Sequence, residues 1–256
     1  MATDSSTEFN RLLGIMDDLR SKCPWDKKQT IQSLRNLTIE ETFELVDSID
    51  DENYTNIKEE LGDLLLHIVF YSKIASENNK FTIADVISSL SEKLIFRHPH
   101  IYSDTKADTE EEVKANWEKL KLKEGKKSIL QGVPKSSPAV IKALRIQDKV
   151  SQVGFDWQNK EQVWGKVEEE IGELKTEVDN NNNEKMTDEF GDVLFALINY
   201  ARFINVDPEQ ALQQSNKKFI KRFQYIENEL SSQDKSFDEL NLEEMNDMWN
   251  NAKKRT

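Results

Sequence analysis

Apolar side chains recur along this chain at intervals of three and four residues. Ile57, Leu61, Leu64, Leu65, Ile68 and Val69 form one such stripe, and Phe190, Val193, Leu194, Leu197 and Ile198 form another. This spacing returns to one side of an α-helix, so it predicts amphipathic helices rather than alternating strands. About four helices are expected around each stripe, packed as a bundle. Thr38 followed by Glu41 has the form of a capping box, while Ile39 to Val46 also fits the continuation of a helix begun earlier.

The two stripes belong to an internal repeat. EETFE at 40–44 returns as EEIGE at 169–173, and ELGD at 60–63 returns as EFGD at 189–192. Glu41 to Glu60 and Glu170 to Glu189 both span 19 positions. Lys93 and Arg97 recur as Lys218 and Arg222, and EEVKANW at 111–117 recurs as EEMNDMW at 243–249. Matched elements in the same order indicate two copies of one unit. Between them, residues 121–138 carry two Gly, two Pro and a basic bias, the make-up of a linker. The expected organisation is an N-terminal helical domain over 1–120, a linker over 121–138 and a C-terminal helical domain over 139–256. The fold class is all-α, with two tandem four-helix-bundle-like domains.

Composition narrows the picture. Only 8 Gly and 5 Pro occur in 256 residues, which weighs against turn-rich β-sandwich and Rossmann folds. A net charge of −13 opposes binding to nucleic acid or to an anionic membrane surface. The single cysteine, Cys23, permits no internal disulfide and suits a reducing compartment. The first residues lack the basic region and apolar core of a signal peptide, and no run approaches the length of a membrane span. A soluble, cytoplasmic protein is expected.

The candidate chemistry is acidic. Residues three apart share a helix face, so Glu41 and Glu44 are neighbours, as are Glu60 and Asp63 one helix later. Antiparallel packing of the two helices would bring the four carboxylates together. The second copy offers Glu170, Glu173, Glu189 and Asp192 in the same way. Such a cluster repels itself unless a cation sits within it, and Mg²⁺ is the natural choice, a hard ion that shares its coordination with water and phosphate. Gly62 and Gly191 lie inside these helices, where Gly costs about 1 kcal/mol relative to Ala, which points to close approach by another helix or a ligand. The pairs Lys93/Arg97 and Lys218/Arg222 each project from one helix face and suit a phosphate tail or plain solvated surface. Trp117 and Trp249 suit either a base-covering role or core packing.

Other motifs fail. Gly125, Lys126, Lys127 and Ser128 lack the upstream Gly of a P-loop. The run from Asp179 resembles a calcium loop without its central Gly. His67, His98 and His100 lack the Glu three residues earlier that a di-iron bundle uses, and the repeat partner of His67 is Ala196, so these histidines read as structural. An acidic helical interaction module remains the non-enzymatic alternative to a metal-dependent enzyme.

With EExxE and ExxD stand CPWDKKQT (23–30), RHPHIY (97–102), GKKSILQGVP (125–134) and VGFDW (153–157). Together they resemble the all-α nucleoside triphosphate pyrophosphohydrolases, the tandem MazG family in particular, over nearly the whole chain. The resemblance implies hydrolysis of (d)NTP to (d)NMP and pyrophosphate by a homodimer or higher homo-oligomer, with Mg²⁺ (or Mn²⁺) as cofactor. A narrower substrate, dUTP or a phosphoribosyl nucleotide, is the alternative on the same fold. The family's metal ligands map to Glu170, Glu173, Glu189 and Asp192, with a second set at Glu41, Glu44, Glu60 and Asp63. Its nucleotide contacts map to Lys166, Glu169, Lys185, Asp192, Lys218, Arg222 and Trp249. Glu169 or Glu170 is the expected group that orients the attacking water. The first copy has Leu37 and Asn56 in place of Lys166 and Lys185, so the second copy is expected to carry the chemistry.

Overall fold

A computed structural model describes residues 4–103, 109, 112–113 and 128–255, and the regular elements among them are all helical. The contacts divide the chain into two units, Met1–Val113 and Lys114–Thr256. Trp117, most of the EEVKANW segment and residues 121–127 of the expected linker lie outside the described residues.

The first unit holds α1 (Ser5–Lys22), α2 (Pro24–Lys28), α3 (Ile31–Asp50), α4 (Tyr54–Glu77), α5 (Ile83–Arg97) and α6 (Pro99–Tyr102). Helices α3 and α4 pack most extensively, and α1 lies against α4. Met16, Leu34, Val69, Phe70 and Ile74 form the core, with Leu37, Leu66 and Tyr71 against it. Arg20 pins three helices: it pairs with Glu77 of α4 at 2.5 Å and donates to the backbone oxygen of Asp26 in α2. The second unit holds α7 (Ala139–Ser151), α8 (Lys160–Asp179), α9 (Asn183–Phe203), α10 (Pro208–Ser232) and α11 (Leu242–Arg255), with a 3-10 turn at Phe237–Glu239. Here α8 and α9 pack most extensively, α7 lies on α9 and α10, and α11 on α10. Val163, Val167, Val193, Ala196, Ile198, Ile226 and Leu230 are buried.

The helix starts follow from local chemistry. Thr30 and Ser33 cap each other's backbone at the head of α3, and Thr82 and Asp85 do the same for α5. Thr38 is therefore not a cap. It sits mid-helix, its hydroxyl 3.0 Å from the Leu34 carbonyl and 2.7 Å from the Tyr71 hydroxyl of α4. Both central hairpins turn alike: Glu52 and Asn181 take left-handed φ values of 52° and 54°, and Asn53 and Asn182 then cap the next helix. The backbone N–H of Asn53 bonds Ser48, and that of Asn182 bonds Glu177 in the same way. The asparagine run that resembles a calcium loop is this turn.

The apolar stripes split between two faces. Val69 and Val193 turn inward, but Leu61, Leu65 and Ile68 are 53%, 38% and 47% exposed, and Phe190, Leu194 and Leu197 are 56%, 48% and 39% exposed. Among the described residues, no helix is long and apolar enough to cross a membrane.

Candidate active site

Each central hairpin carries one acidic cluster. In the second unit Glu170 and Glu173 project from α8 and Glu189 from α9, with a carboxylate oxygen from each within 4.8 Å of the others. The first unit assembles Glu41 from α3 with Glu60 and Asp63 from α4 inside the same limit. The hairpin turns set this register, because each pair of helices leaves its turn with one capping residue and one left-handed residue at matching places. Of the four carboxylates in each predicted set, three meet and the fourth stands at the rim. That fourth residue is Glu44 in one unit and Asp192 in the other, both exposed. They still act electrostatically. Burial and then Asp63, Glu44 and Glu60 push the Glu41 carboxyl above its ordinary range. Burial, Glu44 and Asp63 do the same to Glu60. Glu189 is raised by burial, then by Glu173, Asp192 and Glu170.

Lys166 separates the two sites. Its ammonium lies 2.7 Å from Glu169 and 2.6 Å from the buried Glu170, one helical turn away on α8. Those bonds hold it well above the ordinary lysine range, Glu169 contributing first. In the first unit Leu37 occupies the position and packs into the core, so that cluster has no such internal cation. Lys185 lies 3.5 Å from Glu177, an acidic residue that the sequence reading passed over. Glu177 follows Glu173 by one turn on the same face, a signal that was available; its first-unit counterpart is Ser48.

The other predicted nucleotide contacts gather on α10 and α11. Arg222 lies over the Trp249 ring at 5.9 Å, and Trp249 meets Phe219 at 5.0 Å. Lys218 is exposed one turn before Arg222. Among the described residues no ion pair joins Lys218 to a carboxylate of the cluster. The expected close approach at the two helical glycines is absent within the chain, because a Cβ added at Gly62 or Gly191 would meet nothing within 4 Å. His67 is buried, tilted against Tyr71 at 6.4 Å, and burial lowers its pKa while Asp63 opposes the shift.

This duplicated hairpin has a sequence counterpart. The signature of the MazG nucleotide pyrophosphohydrolase domain matches residues 29–102 and again 158–226. The chain belongs to the MazG family. Both matches span a central hairpin and its acidic cluster. The nucleoside triphosphate pyrophosphohydrolase/pyrophosphatase MazG of Thermotoga maritima is 44% identical over 250 residues, covering 96% of this chain and 95% of that protein. The nucleoside triphosphate pyrophosphohydrolase of Escherichia coli K12 is 38% identical over 257 residues, covering 97% and 98%. YabN of Bacillus subtilis is 44% identical over 254 residues, which is 96% of this chain and 52% of YabN.

Proposed function

We propose that this chain is a nucleoside triphosphate pyrophosphohydrolase, which splits (d)NTP and water into (d)NMP and pyrophosphate with Mg²⁺, or Mn²⁺ in its place. One observation carries the reading: the cluster of Glu170, Glu173 and Glu189 beside Lys166, in a chain whose near full-length MazG relatives bear that name. The residues fit a hard divalent ion, since every donor is a carboxylate oxygen and the donors repel one another without a cation. Such an ion supplies charge neutralisation at the triphosphate and a more acidic bound water.

The chain's own groups do the rest. Glu170, Glu173, Glu189 and Asp192 form the ion site. Glu169 or Glu170 orients the water and takes its proton. The water oxygen bonds to the α-phosphorus, the bond from that phosphorus to the α,β-bridging oxygen breaks, and pyrophosphate leaves with the bridging oxygen and the electron pair. Lys166 and Lys185 neutralise the triphosphate, and Lys218, Arg222 and Trp249 complete the nucleotide contacts. The second unit carries the turnover, because the first has Leu37 and Asn56 at the lysine positions. A homodimer or larger assembly covers the exposed apolar faces, and the enzyme works in the cytoplasm on the free nucleotide pool.

The test is pyrophosphate release from a panel of NTPs and dNTPs, with Mg²⁺ and with EDTA. Metal-dependent release that Glu173→Ala abolishes and Glu44→Ala retains supports the reading. Release unaffected by Glu173→Ala in a folded protein, or no release from any nucleotide, overturns it.

A further inference from the structure

One turn along from the acidic cluster, the first unit has a polar layer that the second lacks. Glu60, Asp63 and His67 follow one another at i, i+3 and i+7, a single row along α4, and Tyr71 continues it one turn later. On α3, Thr38 stands three residues before Glu41, and its hydroxyl meets that of Tyr71 at 2.7 Å. At the positions of Thr38 and His67 the second unit has Val167 and Ala196. Both are buried, so apolar packing takes the place of the polar layer there.

His67 is the member of this layer left without a bond. The residue is 6% exposed, and its Nδ1 is buried with no hydrogen-bond partner among the described residues. Asp63, a member of the cluster, lies one turn back on the same row and is near enough to oppose the effect of burial on the ring. A neutral imidazole nitrogen carries a lone pair that takes either a hydrogen-bond donor or a metal ion. Here no donor meets it, and three carboxylates stand beside it.

The surroundings favour the ion. Glu41, Glu60 and Asp63 are all half-buried, with an oxygen from each inside 4.8 Å of the others. The second unit sets the Lys166 ammonium against its cluster, but the first has Leu37 there, so its charge must be met from outside the chain. Asp63 and His67 have the i, i+4 spacing with which two side chains of one helix grip a single metal. A cavity of about 230 Å³, lined by Glu44, Asp47, Asn56 and Glu60 among others, gives the cluster access to solvent.

We propose that the first unit holds a divalent transition ion, with His67 adding a nitrogen to the carboxylates of Glu41, Glu60 and Asp63. The imidazole is what discriminates. Mg²⁺ takes oxygen donors, whereas a mixed nitrogen and oxygen set suits Zn²⁺, Co²⁺ or Mn²⁺. The second unit, with Ala196, keeps an all-oxygen set. One carboxylate pattern thus serves two ions, and in the first unit the ion ties α3 to α4. The inference does not depend on the nucleotide reaction.

The test uses the full chain in a Glu173→Ala background, which disables the second unit's cluster. Zn²⁺ and Mg²⁺ are titrated calorimetrically into this parent and into its His67→Gln variant, with circular dichroism as the check on folding. The expected result is one Zn²⁺ per chain in the parent, bound about tenfold or more weakly by His67→Gln, with Mg²⁺ affinity unchanged. Mn²⁺ in the parent should show nitrogen coupling in pulsed EPR, lost in His67→Gln and kept when His98 and His100 are both changed to Gln. No Zn²⁺ binding by the parent, equal binding by the folded His67→Gln variant, or an equal loss of Mg²⁺ overturns the inference. So does nitrogen coupling that disappears with His98 and His100, since the ion would then sit on that surface pair. Should His67→Gln fail to fold, the EPR of the parent and of the double variant decides. In the chain with Glu173 intact, His67→Gln should keep pyrophosphate release within about twofold of wild type. A chain that releases no pyrophosphate and still binds Zn²⁺ through His67 would sink the reaction and leave the ion site standing.

Discussion

Glu170 is 6% exposed and lies 2.6 Å from the Lys166 ammonium, whereas the Glu189 carboxyl across the hairpin is raised by burial first and then by the carboxylates it faces. The two residues respond differently to a missing cation. Lys166→Leu, which restores the first unit's residue, removes positive charge from both triphosphate and ion. Its expected signature is a split: KM for nucleotide up about tenfold, with the Mg²⁺ concentration for half-maximal rate lowered. For Glu189 the sign follows from its raised folded pKa. Its ionised form is disfavoured in the fold by burial and by the neighbouring carboxylates, so the destabilisation is least at low pH, where the carboxyl is protonated, and develops as pH rises through the carboxylate range. In metal-free buffer Glu189→Gln should therefore raise the melting temperature at pH 7.5 and change it little at pH 4. Adding Mg²⁺ at pH 7.5 should raise the melting temperature of wild type more than that of the variant, by ligand linkage. Scanning calorimetry reads both effects, and a lower Tm for metal-free Glu189→Gln at pH 7.5 would contradict the repulsion. Helical spacing and the repeat made all eight carboxylates legible in the sequence. Which three meet in each unit was not legible, because that choice depends on how the second helix is rotated about its axis.

At the scale of elements, the central hairpin depends on its turn. Asn182 accepts from the Lys185 backbone at the start of α9, the helix that carries Glu189 four residues further on. Removing the cap with Asn182→Ala should cost about 1 kcal/mol, lowering Tm by about 2–4 °C and reducing turnover through a frayed first turn. The glycines give a sharper test. Gly191 lies in α9 with open space where a Cβ would stand. Gly191→Ala should stabilise the isolated chain by about 1 kcal/mol through helix propensity alone. A raised Tm with lost turnover would place a ligand or a second chain against that backbone, and a raised Tm with full turnover would leave Gly191 without such a role. Helix identity was readable from periodicity, and the Thr38 position shows where local pattern misleads. A capping box formed from Thr30 and Ser33 upstream already starts the helix, so Thr38 bonds Tyr71 across to α4 instead.

At the scale of the molecule, the exposed apolar rows matter most. Ile39, Phe43, Leu61, Leu65 and Ile68 line helices α3 and α4, and Phe190, Leu194 and Leu197 line α9. Faces of this kind on small bundles favour a further partner, at about 25 cal/mol for each Å² of apolar surface covered. On the proposal of a homo-oligomer, Leu194→Glu with Leu197→Glu should move the chain from dimer to monomer in light scattering. A wild-type protein that is monomeric at all concentrations would remove that proposal.

The sequence by itself determined the helical class, the duplication, the acidic residues of each copy and the difference at Leu37 and Asn56, because each of these is written in local spacing and composition. Only the tertiary structure decided which carboxylates converge, that Lys166 bonds Glu170, and that the apolar stripes face two ways. Those outcomes depend on the relative rotation and packing of helices distant in sequence. A periodic pattern names the residues on a helix face without saying what that face will meet.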